Sequence, residues 1–290
     1  MNRNRSPKLS LITAMSIFGT VGILRRSIPL SSPLLSMLRG VIGTLFLLAL
    51  VRIKKEPLDR AAIRKNLPIL CISGACIGLN WILLFESFRY TALATATLCY
   101  YMAPILVILA SPIVFKEWLT PKKCLCAAVA FCGMILVSGV LDANFTGLAE
   151  LKGVFLALGA AVIYATVMML NKHLQGIGPY DRTILQLASA AAVIFPYVLL
   201  TEDWAAVTLT PTVVVLVLIL GMVHTGWTYA LYFGTISRLP AQTVALFSYI
   251  DPIVAIFLSA VLLREGLTLT SAIGAVLVLG STLVSELTKN

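Results

Sequence analysis

Charge is what this 290-residue chain has least of. Asp, Glu, Lys and Arg together make up 12% of it, against 59% apolar residues and a mean hydropathy of +0.98, well outside the averages of soluble domains. Histidine is scarcer still: His173 and His224 are the two present. Neither stands in an H-E-x-x-H pattern, and no G-x-S-x-G occurs, so a membrane protease or lipid transferase lacks the clustered groups its chemistry needs. No Walker A stretch is present, which excludes an ATP-driven pump acting alone. The six cysteines (Cys71, Cys76, Cys99, Cys124, Cys126, Cys132) all fall in or beside apolar runs of the first half and read as small buried hydrophobes, not metal ligands. Neither a cofactor nor a metal is expected. The alternation of a lipid-facing β-barrel is missing too.

Long apolar runs are there instead, and they predict an all-α integral membrane protein of ten transmembrane helices. The runs are Leu9–Leu24, Pro33–Val51, Leu67–Phe88, Thr91–Phe115, Cys124–Val140, Gly153–Leu170, Thr183–Leu200, Pro211–Gly234, Pro240–Leu263 and Leu269–Leu287. Each has about the 17–25 residues needed to cross ~30 Å of hydrocarbon. The opening basic segment and first run resemble a signal peptide, but no small-residue cleavage site follows, so the run is read as the first helix. The net charge of +10 sits between the runs and argues for a lipid bilayer, not a nucleic acid, as partner. With both termini inside, inner segments hold sixteen Lys/Arg and outer segments five, which predicts cytoplasmic termini in a multi-pass plasma-membrane protein.

A duplication organises these helices. Leu98–Thr120, LCYYMAPILVILASPIVFKEWLT, is repeated 148 residues later as Leu246–Thr268, LFSYIDPIVAIFLSAVLLREGLT, with nine of 23 positions identical. Lys116-Glu117 falls on Arg264-Glu265, and the offset also pairs Gly78 with Gly226 and Thr95 with Thr243. Such internal repeats decide architecture before any other feature. Five helices per half is an odd number, so the halves, 1–145 and 146–290, are expected to be inverted around a central cavity. Pro104 and Pro252 mark helix breaks in the duplicated blocks. Inverted repeats with interrupted helices are the plan of secondary transporters.

At these residues the chain resembles the EamA-type, ten-helix members of the drug/metabolite transporter superfamily. The resemblance covers residues ~9–287 and rests on the two Pro-to-Glu blocks, on IFGT (Ile17 to Thr20) and on Arg39; Phe18 stands where the family commonly has Trp. It implies a basket of ten helices and the export or uptake, by alternating access, of small organic solutes such as amino acids, amines or related metabolites, with export the expected direction. It implies no cofactor, and it does not name the cargo. A membrane-embedded enzyme and a non-transporting scaffold are the alternatives.

Ionisable groups within the membrane are costly and therefore functional candidates. Arg39 and Glu86 share a depth near the outer face and are expected to pair, as a structural contact or an outer gate, with Arg89 competing for Glu86. Asp251 is the twelfth residue of its 24-residue run and precedes Pro252. It is read either as the cap of a restarting helix or as a group that couples to protons or meets a substrate amine. Its repeat mate, Ala103, shows that the fold can break there without an acid. His224, Trp227 and Thr228 in the eighth run, Asn80 and Trp81 in the third, and Tyr100, Tyr101 and Tyr249 beside the breaks are the remaining cavity candidates, with Tyr229 facing the same region and packing the competing reading for the aromatics. Gly74 and Gly78 form a small-xxx-small pair for helix packing. With no Lys or Arg assigned to mid-membrane, a neutral, zwitterionic or amine-bearing solute is expected. The protein is expected to work as a monomer or homodimer.

Overall fold

The computed structural model describes residues 6–91, 93–138, 148–262 and 269–287. The apolar runs fold into helices: α1 (Pro7–Phe18), α2 (Val21–Arg26), α3 (Ser32–Ile53), α4 (Arg60–Ser87), α5 (Leu93–Tyr100), α6 (Ala103–Phe115), α7 (Pro121–Ser138), α8 (Leu148–His173), α9 (Pro179–Thr201), α10 (Pro211–Ile219), a π-helical stretch (Leu220–Trp227), α11 (Thr228–Ile236), α12 (Ala241–Phe247), α13 (Ile250–Leu262) and α14 (Leu269–Leu287). Among the described residues there is no strand. Among the described residues seven segments are long and apolar enough to cross a membrane, where ten spans were expected, and shorter apolar helices accompany them. The junction 139–147 and the segment 263–268, which holds Arg264 and Glu265, lie outside the described residues.

Local chemistry sets the helix ends. Ser31 and Asp59 accept the backbone N–H groups of Leu34 and Ala62 at the starts of α3 and α4, satisfying donors that no helical carbonyl can reach. Proline occupies the first turn of α1, α3, α6, α9 and α10, where its missing N–H costs nothing. Lys116 is left-handed (φ 56°) and terminates α6.

The breaks follow the repeat. α5 gives way to α6 at Tyr101-Met102, and α12 to α13 at Ser248-Tyr249, positions that the 148-residue offset relates to within one residue, with Tyr101 and Tyr249 in common. Pro104 has no N–H for the carbonyl of Tyr100 and Pro252 none for that of Ser248, so neither helix can run straight through. The breaks thus fall two to four residues ahead of the prolines. A third break, at Gly19-Thr20 between α1 and α2, has no proline. There α13 approaches so closely that a Cβ on Gly19 would stand 2.6 Å from the Asp251 carbonyl oxygen.

Close packing joins the rest. α4 lies against α8 and α9, α3 against α9 and the π stretch, and α7 against α14. At Gly74 a Cβ would meet the Gln186 carbonyl oxygen at 2.5 Å, and at Gly78 that of Ala190 at 2.8 Å. The small-xxx-small pair therefore lets α4 and α9 approach backbone to backbone. Beside it, Ser73 Oγ accepts from Asn171 Nδ2 (3.1 Å) and Gln186 Nε2 (2.8 Å). Arg182 donates to the carbonyls of Asn171, Leu174 and Phe233. One end of the bundle gathers Lys54, Lys55, Arg60, Lys116 and Lys172 and is called the basic end below. There Lys54 Nζ donates to Tyr180 Oη (3.0 Å), which holds the ammonium above the usual lysine range.

Candidate substrate cavity

The two breaks meet. Tyr249 Oη donates to the carbonyl of Tyr101 at 3.1 Å, so a side chain of one block reaches the backbone of its own repeat mate. Beside this contact lies the half-buried Asp251, two residues after Tyr249. Asp251 lies in the first turn of α13, past the restart of the helix, so it is not the cap that its place before Pro252 suggested. A carboxylate in that turn still interacts favourably with the helix dipole.

Next to the breaks lies a cavity of about 30 Å³, walled by Phe18, Asn80, Trp81, Tyr100, Tyr164 and Tyr229 among others. That volume holds one water molecule and no organic solute. Tyr100 and Tyr164 stack with centroids 5.4 Å apart; Tyr229 meets Phe18 and Trp81 edge-on at 5.1 and 6.1 Å. Asn80 fixes the polar corner, donating to the Ala160 carbonyl (2.7 Å) and accepting from Tyr100 Oη (3.4 Å). Tyr164 and Tyr232 share a hydroxyl contact of 3.2 Å. Such rings offer faces for stacking and for cations as well as hydroxyl donors.

Several expected partnerships change. Arg39 does not pair with Glu86: its Nε donates to Thr225 Oγ1 at 3.0 Å and its guanidinium lies 5.1 Å from the Trp81 ring centroid. Glu86 pairs with Arg89 at 3.2 Å. Trp227 is 41% exposed, its ring 5.9 Å from Lys54 Nζ, and it faces away from the cavity. Thr228 is buried but spends its hydroxyl on the Val223 carbonyl of its own turn (2.8 Å). His224 Nε2 contacts Thr20 Oγ1 at 2.7 Å and so ties the π stretch to the break after α1. Tyr249 is a fully buried strut and not a wall. Asn80, Trp81 and Tyr100 do come together. Phe18, Tyr164, Tyr229, Tyr232 and Phe233 complete the wall; of these, Phe18 had a signal in the IFGT stretch and Tyr229 in its place near Thr228.

Comparison with known proteins bears on what such a cavity serves. The model of the EamA-like transporter family matches residues 6–139 and again 151–286. The chain belongs to the EamA-like transporter family. Among its relatives, the uncharacterized transporter YxxF of Bacillus subtilis (strain 168) is 29% identical over 259 residues, covering 87% of this chain and 80% of the relative. The uncharacterized transporter YvbV of the same organism is 27% identical over 257 residues, covering 87% and 81%. A solved crystal structure of a protein 19% identical superposes with a TM-score of 0.86 over 97% of each chain, which shows the fold.

In this EamA-family chain the basic end is closed. Glu117 accepts the Ala241 N–H on both carboxylate oxygens (3.1 Å each) and forms an ion pair with Lys172. Lys172 Nζ also lies 4.6 Å from the Phe115 ring centroid. One residue on, Gln242 Nε2 donates to Ser111 Oγ at 2.7 Å. These contacts draw together the end of α6, the start of α12 and the end of α8. α6 packs on α12, whereas among the described residues α5 and α13, at the other end, have no comparable packing.

Proposed function

We propose that the chain is a secondary active transporter that exports small organic solutes bearing an amine, amino acids among them, across the plasma membrane by alternating access. In this reading it crosses the membrane ten times in two inverted halves, 1–145 and 146–290, with both termini and the basic end cytoplasmic. The observation that carries it is the meeting of the two breaks. Tyr101 and Tyr249, equivalent in the repeat, bond to one another, as residues beside a pseudo-two-fold axis do, and the aromatic cavity and Asp251 lie next to that contact. Secondary transporters place their sites there, at discontinuous helices between repeats. A 30 Å³ cavity must widen to admit cargo, and the Glu117 clasp must open to let it pass the basic end. Asp251 is the group through which a proton or a substrate amine acts.

Flux into vesicles containing the purified protein, screened with amino acids and amines, tests the reading. Unmodified solute should accumulate under a proton gradient in the wild type. Asp251→Asn should fold yet lose accumulation or its pH dependence, because an amide cannot titrate. Chemical conversion of the solute would instead make the protein an enzyme, and the absence of flux a scaffold. A wild-type profile in Asp251→Asn would remove that residue from the mechanism.

A further inference from the structure

A buried cation without an anion is the feature that this transport reading leaves unused. Arg39 is 8% exposed. Among the described residues no carboxylate lies within ion-pair distance of it, and only its Nε is engaged, by Thr225. A guanidinium inside a membrane protein is costly unless something neutralises it, and its two terminal nitrogens present the planar fork that suits a carboxylate. Asp251 does not serve. From the Arg39 guanidinium, contacts lead to the Trp81 ring at 5.1 Å, from Trp81 to Tyr229 at 6.1 Å, and from Tyr229 to Phe18 at 5.1 Å. Gly19, the next residue, touches the Asp251 backbone. Both charges thus stand next to the aromatic cavity, joined by a path of three rings, and among the described residues no ion pair links them.

We propose that Arg39 receives the carboxylate of the transported solute while Asp251 receives its ammonium group. The cargo is then a dipolar molecule whose charges span the ring-lined cavity. Three rings, Trp81, Tyr229 and Phe18, lie along the path between the two groups, and on this proposal the solute's amine and carboxylate stand further apart than the single carbon of an α-amino acid allows. An ω-amino acid, or another solute with several bonds between amine and carboxylate, fits. The aromatic faces cover its methylene chain, and neither end is left with an unpaired buried charge. This inference rests on the transport reading above and adds the substrate's second charge and its length. It also replaces the expectation that no arginine is available to an anionic group.

The test is a chain-length series in vesicles containing the purified protein, H₃N⁺–(CH₂)ₙ–COO⁻ from glycine to 8-aminooctanoate, with the matched n-alkylamines and n-alkanoates as controls. The wild type should favour an ω-amino acid with three or more methylenes over glycine, and over the matched amine by roughly tenfold or more, about the worth of one charge-assisted hydrogen bond. Arg39→Gln keeps a polar group near Thr225 and should collapse that preference over the amine. Asp251→Asn should collapse the preference over the alkanoate. A wild type that moves amines and ω-amino acids equally, or that prefers glycine, overturns the proposal while transport itself stands. So does an Arg39→Gln profile identical to wild type. Absence of flux for every probe overturns the transport reading with it. Should Arg39→Gln fail to fold, the wild-type series alone decides.

Discussion

Tyr249 shows how one hydroxyl can register two halves of a chain. It is fully buried, and its bond to the Tyr101 carbonyl lies where both helices are interrupted. Tyr249→Phe removes the donor and little else. It should lower stability by about 1–2 kcal/mol, the usual worth of a buried hydrogen bond and near the upper end for one between membrane helices. Thermal unfolding in detergent measures this; an unchanged midpoint would show that the carbonyl finds another donor. Arg39 teaches the opposite lesson. Shared depth suggested Glu86 as its partner, but depth says nothing of azimuth. Glu86 comes five residues after Trp81, which on a helix is about 140° around the axis and about 7 Å along it. A guanidinium seated over Trp81 therefore points away from Glu86, which is left to Arg89 one turn on.

Helices were legible from the chain where the cause is local, and illegible where it comes from a neighbour. Apolar run length located the helices, seven of which among the described residues are long enough to span a membrane where ten spans were expected, and the prolines located two breaks to within a few residues, since a missing N–H acts on its own helix. The break at Gly19-Thr20 and the π stretch Leu220–Trp227 had no such signal. Both arise where another helix comes close: α13 at Gly19, and α3 at Gly221 and Gly226, where a Cβ would stand 2.5 Å from Ile42 and 2.9 Å from Phe46. Within the π stretch, Thr225 returns its hydroxyl to the Leu220 carbonyl five residues back (2.9 Å). Its Oγ1 is then the acceptor that Arg39 uses, a link that no spacing rule announces. The same reasoning sorts the glycines. Gly74→Ala would drive a methyl into the α9 backbone and should cost about 1–3 kcal/mol, as overpacking does. Gly22→Ala meets nothing within 4 Å and should be neutral or gain up to ~1 kcal/mol from helix propensity. Paired unfolding measurements check both; equal effects would mean that α4 and α9 adjust freely.

On the scale of the whole molecule, the two duplicated blocks share a sequence pattern and, among the described residues, differ in packing. They break within one residue of matched positions, yet α6 is packed on α12 at the basic end while among the described residues α5 and α13 show no comparable packing. Side-chain links hold the closed end, among them Glu117 to the Ala241 N–H, Glu117 to Lys172, and Gln242 to Ser111. Left-handed Lys116 ends α6 and leads directly into Glu117. The polar contacts can pass to water when the end opens, whereas the buried apolar side chains between α6 and α12, Val107, Ile108 and Val244 among them, would have to expose their surface. If solute passes this end, tethering it should stop the cycle. In a background with the six native cysteines replaced, Ser111→Cys with Gln242→Cys, joined by a short bifunctional thiosulfonate, should abolish flux into vesicles, and reductant should restore it. Each single-cysteine protein treated in the same way should keep its flux. Transport continuing at the untethered rate in fully cross-linked protein would mean that α6 and α12 stay together throughout, and that cargo takes a path which does not separate them.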